Sequence, residues 1–300
     1  MTAKLKRDRA GTRSARHIAR HRIKSALKTL DRKNTSDGSI HAARKELKKA
    51  RAALRLLRDA LGESTYKREN TALRDAARPL SAVRDGRVLL DVLSSLAKYY
   101  GSPAAALQLT KFQRILSRRR TQLRAKVLNK SGPLRGTRKT LHQVRSRSDR
   151  WHVGRHGWSI LGAGLKRTYS KGRQALQQVR IQPANERLHE WRKQAKYFWY
   201  QLQMLEPLRP GPLGELADET HKLADFLGDD HDLAVLREQA EGARAVFPTA
   251  ASQRALVALI ERRRERLQEK ALRLAQRLYA EKPAAFNTRL GNYWRNGHRS

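Results

Sequence analysis

Residues 40–61, IHAARKELKKARAALRLLRDAL, have the clearest periodicity in the chain. Their apolar members recur at steps of three and four: Ile40, Ala43, Leu47, Ala50, Leu54, Leu57 and Leu61. This spacing brings them to one side of an α-helix, and the segment therefore predicts an amphipathic helix with a continuous buried stripe. Ser39 or Asp37 is placed to cap its start, and Gly62 follows its end, where a left-handed residue is favoured.

The same helical spacing recurs along most of the chain. Residues 188–205 form a second strongly amphipathic segment, which Pro207 ends. Further helices are predicted at about 14–32, 65–78, 80–99, 104–128, 137–150, 159–180, 213–227, 230–246 and 251–281, with a break at Pro79. No segment shows the alternating β-branched residues of a strand, and good helix formers dominate. We therefore expect an all-α fold.

The two strongest helices belong to an internal repeat. The segments around His41 and His189 align with each other at an offset of 148 residues. The alignment matches these pairs: Arg44 with Arg192, Lys45 with Lys193, Lys48 with Lys196, Leu54 with Leu202 and Leu57 with Leu205. An offset kept over about 50 residues indicates duplication of a helical unit of roughly 150 residues. We expect two four-helix bundles, related by a pseudo-twofold axis, with a basic groove between or along them.

The expected domain boundaries follow from this repeat. Residues 1–13 are predicted to form a basic N-terminal tail and residues 286–300 a C-terminal tail. A single domain covers residues 14–285, with the first bundle at about 14–150 and the second at about 155–285.

The chain is strongly basic, with 66 Lys and Arg against 27 Asp and Glu and a net charge of +39. Residues 1–150 carry 40 basic and 11 acidic residues, whereas residues 151–300 carry 26 and 16. Such a charge indicates a polyanionic partner: nucleic acid, an anionic membrane surface or inorganic polyphosphate. The absence of cysteine excludes disulfides and Cys-ligated zinc. No apolar run approaches the ~18 residues of a membrane span.

A row of basic residues follows the apolar stripe of the first strong helix by one position. Its members are His41, Arg44, Lys48, Arg51, Arg55 and Arg58, widened by Lys45 and Lys49. The row lies about 100° round the helix from the stripe and is about 25 Å long, which suits a linear chain of phosphates. A shorter copy recurs at His189, Arg192, Lys193 and Lys196. A solvated helix face is the alternative interpretation, but acidic partners are few, and we favour contact with a ligand.

The sequence supports catalysis less well than it supports ligand binding. The one acidic cluster that contains a histidine is Asp229, Asp230, His231 and Asp232. It could serve a metal-dependent phosphoanhydride hydrolase, but its position after Gly228 also suits the cap of a new helix, which we favour. The chain has no Gly-rich phosphate loop and none of the common nucleophile or zinc motifs. We therefore expect no enzyme activity, no metal and no cofactor.

Non-specific nucleic-acid binding by the same basic face is a further possibility. Aromatic residues make up only 6% of the chain, and none lies within the basic row. The rings that stack on bases are therefore missing from that row. No helix-turn-helix, zinc-finger or RNP signature is present. We expect nucleic acid to act at most as a competing polyanion.

Four segments resemble the CHAD family, the conserved histidine α-helical domain. They are IHAARKELKKARAALRLL (residues 40–57), YKRENTALRDAARPLSAVRDGRVLL (66–90), LHEWRKQAKYFWYQLQML (188–205) and LADFLGDDHDLAVL (223–236). The resemblance spans roughly residues 14–281. It implies two four-helix bundles related by pseudo-twofold symmetry, in agreement with the repeat.

The resemblance also implies a ligand and a place in the cell. Members of the family bind inorganic polyphosphate through basic residues that line a central groove, and they associate with polyphosphate granules. We therefore expect a cytoplasmic protein on such granules. Together with the basic row, the resemblance predicts a site of His41, Arg44, Lys45, Lys48, Lys49, Arg51, Arg55, His189, Arg192, Lys193 and Lys196. The helices before the two histidines add Arg20, Lys24, Lys166, Arg167 and Arg173.

Overall fold

A computed structural model of the chain describes residues 11–31, 35–101, 109–129, 132–153 and 157–296. The first half contains α1 (Gly11–Leu30), α2 (Asp37–Leu56), α3 (Arg58–Leu61), α4 (Glu63–Tyr100), α5 (Thr110–Leu128) and α6 (Pro133–Ser148). The second half contains α7 (Trp158–Ile181), α8 (Asn185–Leu205), α9 (Pro210–Glu241), α10 (Ala250–Leu278) and α11 (Pro283–Asn296). These ranges include no strand, and the all-α prediction is confirmed.

Helix α2 is the helix that its periodicity predicts. Its apolar stripe, from Ile40 through Leu54, is fully buried. The cap differs from the prediction, because the side chain of Ser36 accepts a hydrogen bond from the Ser39 amide at 3.1 Å. Beyond α3 the chain turns at Gly62, whose φ of 77° favours glycine.

Two predicted breaks are absent, and α4 and α9 are each a single long helix. Pro79 lies inside α4, although a proline disfavours a helix interior by about 3 kcal/mol. Gly228 lies inside α9, where a glycine costs about 1 kcal/mol relative to alanine. Both helices continue because leucines on either side are buried, namely Leu73, Leu80, Leu227 and Leu233. Hydrophobic burial over several turns outweighs these local terms.

The helices pack in two sets that meet along α2. In the first half, α1, α2, α4 and α6 form a closed ring of neighbours. In the second half, α7, α8, α9 and α10 pack in sequence, and α11 covers α7. Helix α2 also packs on α7 and α8, and α4 packs on α9. Both hydrophobic clusters of the core therefore contain residues from both halves. The symmetry of the halves and the boundary between them stay predictions.

Helix α7 crosses α2 at a position that only glycine fits. A Cβ atom at Gly164 would lie 2.6 Å from Cα of Leu56 and 2.7 Å from the carbonyl oxygen of Arg55. Backbone atoms cannot swing aside as a flexible side chain would, so a larger residue would push the two helices apart. This close crossing holds α7 against the C-terminal part of α2, the helix that carries the basic row.

The predicted C-terminal tail at 286–300 is largely a packed helix, and that prediction is wrong. Phe286, Leu290 and Trp294 are buried on the inner side of α11. The ring of Phe286 stacks on Tyr169 of α7, with centroids 4.1 Å apart. A few apolar residues in a short basic segment are a weak periodic signal, and the surface that buries them comes from a distant part of the chain.

The N-terminal boundary also differs from the prediction. Helix α1 begins at Gly11 and Thr12 is buried, so residues 11–13 belong to the folded domain. Residues 1–10 of the predicted N-terminal tail and 297–300 of the predicted C-terminal tail lie outside the described residues. Residues 104–108 of the helix predicted at 104–128 also lie outside them.

Candidate polyanion-binding site

Helices α2 and α8 pack against each other and enclose a cleft between their basic sides. Two adjoining hollows, of about 170 and 240 Å³, make up this space, which we term the α2–α8 cleft. Both hollows are lined by Arg44, Lys48, Arg192, Lys196 and Tyr200. The two hollows are therefore neighbours that share these five side chains.

The remaining lining residues divide between the two hollows. The smaller hollow is completed by His41, Lys45, Trp199 and His221. The larger is completed by Arg51, Ser81, His189, Lys193, Tyr197 and His231. The cleft therefore brings together five predicted residues of α2 and four of α8.

Asn70 of α4 and Tyr197 of α8 hold the far end of the basic row. The Oδ1 atom of Asn70 accepts hydrogen bonds from Arg51 Nε and Arg55 Nη1, each at 3.0 Å. The Arg55 guanidinium also lies over the Tyr197 ring, 3.7 Å from its centroid, in a cation–π contact. Burial lowers the pKa of Arg51, yet an arginine stays charged at neutral pH. These contacts orient two cations before any ligand arrives.

Carboxylates of α9 contact the cations of α8 at long distances. Asp232 Oδ1 lies 3.9 Å from Arg192 Nη2, and Asp225 Oδ1 lies 3.8 Å from Lys196 Nζ. Asp225 Oδ2 also lies 3.3 Å from His221 Nε2. A direct charge-assisted hydrogen bond is shorter, at about 2.7–2.9 Å, and stronger. A phosphate oxygen in direct contact would therefore compete well for these cations.

The acidic cluster around His231 does not begin a helix, and the predicted cap is wrong. Residues 229–232 lie in the middle of α9. The Asp230 side chain is buried in the core and accepts hydrogen bonds from Arg264 Nε at 3.1 Å and Gln268 Nε2 at 2.8 Å. Within the described ranges, no three His, Asp or Glu side chains come close enough to hold a metal ion together.

Two histidines meet inside the cleft. The rings of His189 and His231 lie 4.7 Å apart, measured between centroids. Burial and the nearby cations Arg192 and Lys193 lower the pKa of His189. Its Nδ1 atom is buried, with no hydrogen-bond partner among the residues that the structure describes. Burial and the neighbouring cations therefore favour the neutral form of His189 in the absence of ligand.

Seven predicted site residues do not line the cleft, namely Arg20, Lys24, Lys49, Arg55, Lys166, Arg167 and Arg173. Lys49 faces α1, where its Nζ atom lies 3.6 Å from Glu46, and Glu46 also accepts a hydrogen bond from Arg22. Lys49 follows Lys48 by one residue, which corresponds to a rotation of about 100° round the helix. The Lys49 side chain therefore faces α1, whereas the Lys48 side chain lines the cleft. Its position suits a contact between helices.

Four more of these residues lie at helix junctions or on open surface. Arg20 pairs with Asp149, which follows α6. Arg173 of α7 donates to the carbonyl oxygen of Glu281 at 3.1 Å. The exposed ones are Lys24 and Lys166. The helices before the two histidines thus support the fold more than they line the cleft.

Arg167 belongs to a second, smaller basic hollow near the other end of α2. The hollow measures about 50 Å³ and is lined by Arg55, Arg58, Tyr66, Gly164, Arg167, Thr168, Lys171 and Gln194. Arg167 Nη1 lies 2.9 Å from Asp59. Arg55 reaches both this hollow and the Tyr197 ring of the α2–α8 cleft. Cations therefore follow nearly the whole length of α2.

The cleft also contains residues that the sequence did not predict, namely Ser81, Tyr197, Trp199, Tyr200, His221 and His231. Tyr197, Trp199 and Tyr200 of α8 are neither cations nor members of its apolar stripe, so neither pattern selected them. His231 was interpreted only within its acidic cluster. The internal repeat offered a signal for His231, because it aligns residues 231–232 (His-Asp) with residues 84–85 (Arg-Asp).

A family model described as the CHAD domain matches residues 10–241 of the chain. The chain belongs to the CHAD domain family. A comparison with curated protein sequences found no match. The model match extends from the start of α1 to the end of α9, and it therefore includes both walls of the cleft.

Two solved structures are similar to this CHAD domain. PptA from Streptomyces chartreusis superposes with a TM-score of 0.63 at 15% identity, covering 91% of this chain and all of that one. The CHAD domain from the plant Ricinus communis superposes with a TM-score of 0.57 at 14% identity, covering 98% of this chain and 95% of that one. At these identities the likeness shows the fold.

In this CHAD domain two of the four segments that carry the sequence resemblance, residues 40–57 and 188–205, form the two walls of the cleft. Their basic residues meet because α2 and α8 are direct neighbours. No helix among the described residues has the length and apolar character needed to cross a membrane.

Proposed function

We propose that this CHAD domain binds inorganic polyphosphate in the α2–α8 cleft and thereby associates with polyphosphate granules in the cytoplasm. One observation carries the proposal: cations of both α2 and α8 line each of the two adjoining hollows of the cleft. Each Lys or Arg that contacts a phosphate releases condensed counterions, which favours binding at moderate salt. Polyphosphate is an unbranched chain that carries negative charges along its length. The basic row on α2 is also linear, and its cations extend over about 25 Å.

The aromatic lining of the cleft favours polyphosphate over nucleic acid. The Trp199 ring lies between His221, at 3.8 Å, and Tyr200, at 4.6 Å, measured between centroids. Tyr197 is covered by the Arg55 guanidinium. All three aromatic side chains are buried. Nucleic-acid clefts without sequence preference use exposed rings on which bases stack, and these rings are already occupied by protein groups.

The arrangement of the carboxylates supports binding without hydrolysis. Asp225 and Asp232 each contact a cation of α8, and Asp230 is paired in the core. Metal-assisted hydrolysis requires carboxylates or histidines that converge on a common ion. We therefore propose that the protein is not an enzyme and that it uses no metal or other cofactor in this cleft.

A competition titration tests the proposed ligand. Labelled long-chain polyphosphate is bound to the protein and displaced by single-stranded RNA or by duplex DNA, at about 0.15 and 0.3 M salt. We expect polyphosphate to bind more tightly by over about tenfold per phosphate, because the aromatic rings on which bases could stack are covered by protein groups. Equal displacement by all the polyanions with one salt slope would reduce the cleft to a general basic surface.

The pH dependence of binding offers a second test. Burial, Arg192 and Lys193 lower the pKa of His189 in the free protein. A bound polyanion raises that pKa, so binding takes up a proton and tightens as the pH falls from about 8 towards 5.5. His189 also faces Lys48 of α2 and His231 of α9.

Calorimetry in buffers of different ionisation enthalpy measures this proton uptake directly. We expect His189→Gln to take up fewer protons than the wild type near pH 6.5, by up to about one. Glutamine keeps a hydrogen-bonding side chain without a titrating group. Unchanged proton uptake in this variant would show that His189 does not contact the ligand.

A further inference from the structure

Helix α5 carries a basic surface separate from the α2–α8 cleft. Its 19 residues, TKFQRILSRRRTQLRAKVL, include seven Lys and Arg and no Asp or Glu. No residue of α5 lines the cleft. The helix packs on the C-terminal half of α4 and on α6. The cleft therefore leaves this concentration of charge unexplained.

The burial pattern determines which cations of α5 face outward. Phe112 and Leu116 are buried in the second hydrophobic cluster. Lys111, Arg114 and Arg118 are exposed. At 100° per residue these three lie within about 60° of one another, on the side opposite the buried residues. They form one outward row, which we term the α5 row.

Other arginines of α5 fix the orientation of the helix. Arg120 Nη2 and Arg124 Nε contact the two carboxylate oxygens of Asp37 at 2.6 and 3.0 Å. Arg119 donates to the side chain of Gln239 on α9. These contacts join α5 to two other helices and prevent it from turning on its axis. The α5 row therefore keeps its outward direction.

The neighbouring helix α6 extends the positive field. Its exposed cations are Arg135, Lys139 and Arg145, and its sequence contains no Asp or Glu. Carboxylates from other helices pair with some of these arginines, namely Asp37 with Arg120 and Arg124, Asp31 with Arg138 and Glu69 with Arg147, and the surface keeps an excess of positive charge. Fields of one sign over such an area raise the local concentration of polyanions and speed their association.

We propose that the α5 row binds the phosphate backbone of duplex nucleic acid without reading its sequence. The exposed side of α5 is the convex surface of a single helix, about 10–12 Å across, which matches the width of a DNA major groove of about 12 Å. A rigid duplex supplies phosphates on both edges of that groove, whereas a flexible polyphosphate chain is held better between two walls. Lysine and arginine contacts to phosphates carry no sequence information.

A membrane surface fits this helix less well. An amphipathic helix that binds a bilayer inserts its apolar side among the lipids. The apolar side of α5 is buried in the core. Ile115 is the one large apolar side chain of α5 that is exposed, which is too little apolar surface to insert among lipids. The inference does not rest on polyphosphate binding in the cleft.

Fluorescence anisotropy with a labelled duplex of about 30 base pairs of mixed sequence tests the proposal, at about 50 and 150 mM salt. We expect Lys111→Gln with Arg114→Gln and Arg118→Gln to weaken binding at least about tenfold and to reduce the salt slope by about two to three. The matched control replaces three exposed cations of the second half by glutamine: Arg180, Arg254 and Lys282. This control has the same net charge and should change the affinity by less than about threefold.

Further measurements separate the possible outcomes. The α5 triple variant should keep its circular dichroism, its melting temperature and its polyphosphate affinity. Equal losses in the triple variant and in the control would overturn the proposal, since the binding would then follow net charge alone. A loss of duplex binding with Arg44→Gln and Lys48→Gln, but not with the α5 variant, would place the duplex in the cleft. Binding of anionic vesicles that depends on the α5 row, with unchanged duplex binding, would assign the row to a membrane.

Discussion

Replacing Arg44 and Lys48 together by glutamine should weaken polyphosphate binding by at least about a hundredfold. Both side chains line both hollows of the α2–α8 cleft, opposite Arg192 and Lys196. A hydrogen bond to a charged group contributes about 1.5–3 kcal/mol, and two such losses amount to about 3–6 kcal/mol. Since each 1.4 kcal/mol is about a tenfold change in affinity, the loss is measurable by direct titration at about 0.15 M salt.

A charge-matched control distinguishes the cleft from the general basic surface. Lys24→Gln with Lys166→Gln removes two exposed cations that were predicted from sequence to bind but lie outside the cleft. We expect this pair to weaken binding by less than about threefold, because exposed charges at a distance are screened by salt. Similar losses in the two double variants would contradict a specific cleft. Circular dichroism of both variants verifies that each is folded.

Replacing Arg264 by leucine should destabilise the protein by about 3–5 kcal/mol, because it leaves a buried carboxylate without its charged partner. Asp230 is 1% exposed and Arg264 is 4% exposed. Arg264 bonds to Asp230 at 3.1 Å, to Asn185 Oδ1 at 2.6 Å and to Glu261 at 3.1 Å. The contacts join α8, α9 and α10. Urea or guanidinium unfolding at pH 7 measures the change in the free energy of unfolding.

Two further variants identify the cause of that loss. Combining Asp230→Leu with Arg264→Leu should recover more than half of the stability, since two apolar residues need no partner. Arg237→Gln removes a more exposed arginine that pairs with Glu241 at 2.9 Å and Glu261 at 3.0 Å. It should change stability by less than about 1 kcal/mol. A loss below about 1 kcal/mol for Arg264→Leu would mean that Asp230 is solvated or protonated in the native protein.

The amphipathic helices could be predicted well from the sequence because their signal is local and repeated. The stripe from Ile40 to Leu54 is buried as its spacing indicates. Breaks at Pro79 and Gly228 were predicted from single-residue preferences of about 1–3 kcal/mol. Burial of the leucines on either side is larger in sum, and it depends on helices that are distant in the sequence. Long-range packing therefore overrides these local signals.

The candidate site was likewise predicted in part from local sequence signals, and the rest of it depends on long-range packing. The basic residues and histidines that α2 and α8 contribute to the cleft were predicted from their spacing beside an apolar stripe and from the repeat, whereas Tyr197, Trp199 and Tyr200 were not. Lys49 differs from Lys48 only by one step of the helix, and its side chain contacts Glu46 next to α1. His221 and His231 enter the cleft from α9, whose position could not be predicted from its own sequence.

Sequence alone determined that the chain is helical, which side of α2 is buried, and that a row of cations flanks that side. These properties follow from a period of 3.6 residues and from residue charge, which are both local. Only the tertiary structure decided that Arg44 and Lys48 share a cleft with Arg192 and Lys196, while the cations of α5 face outward elsewhere. These positions result from the burial of apolar surface between helices that are far apart in the sequence. The packing of those helices determines which charged side chains lie next to each other.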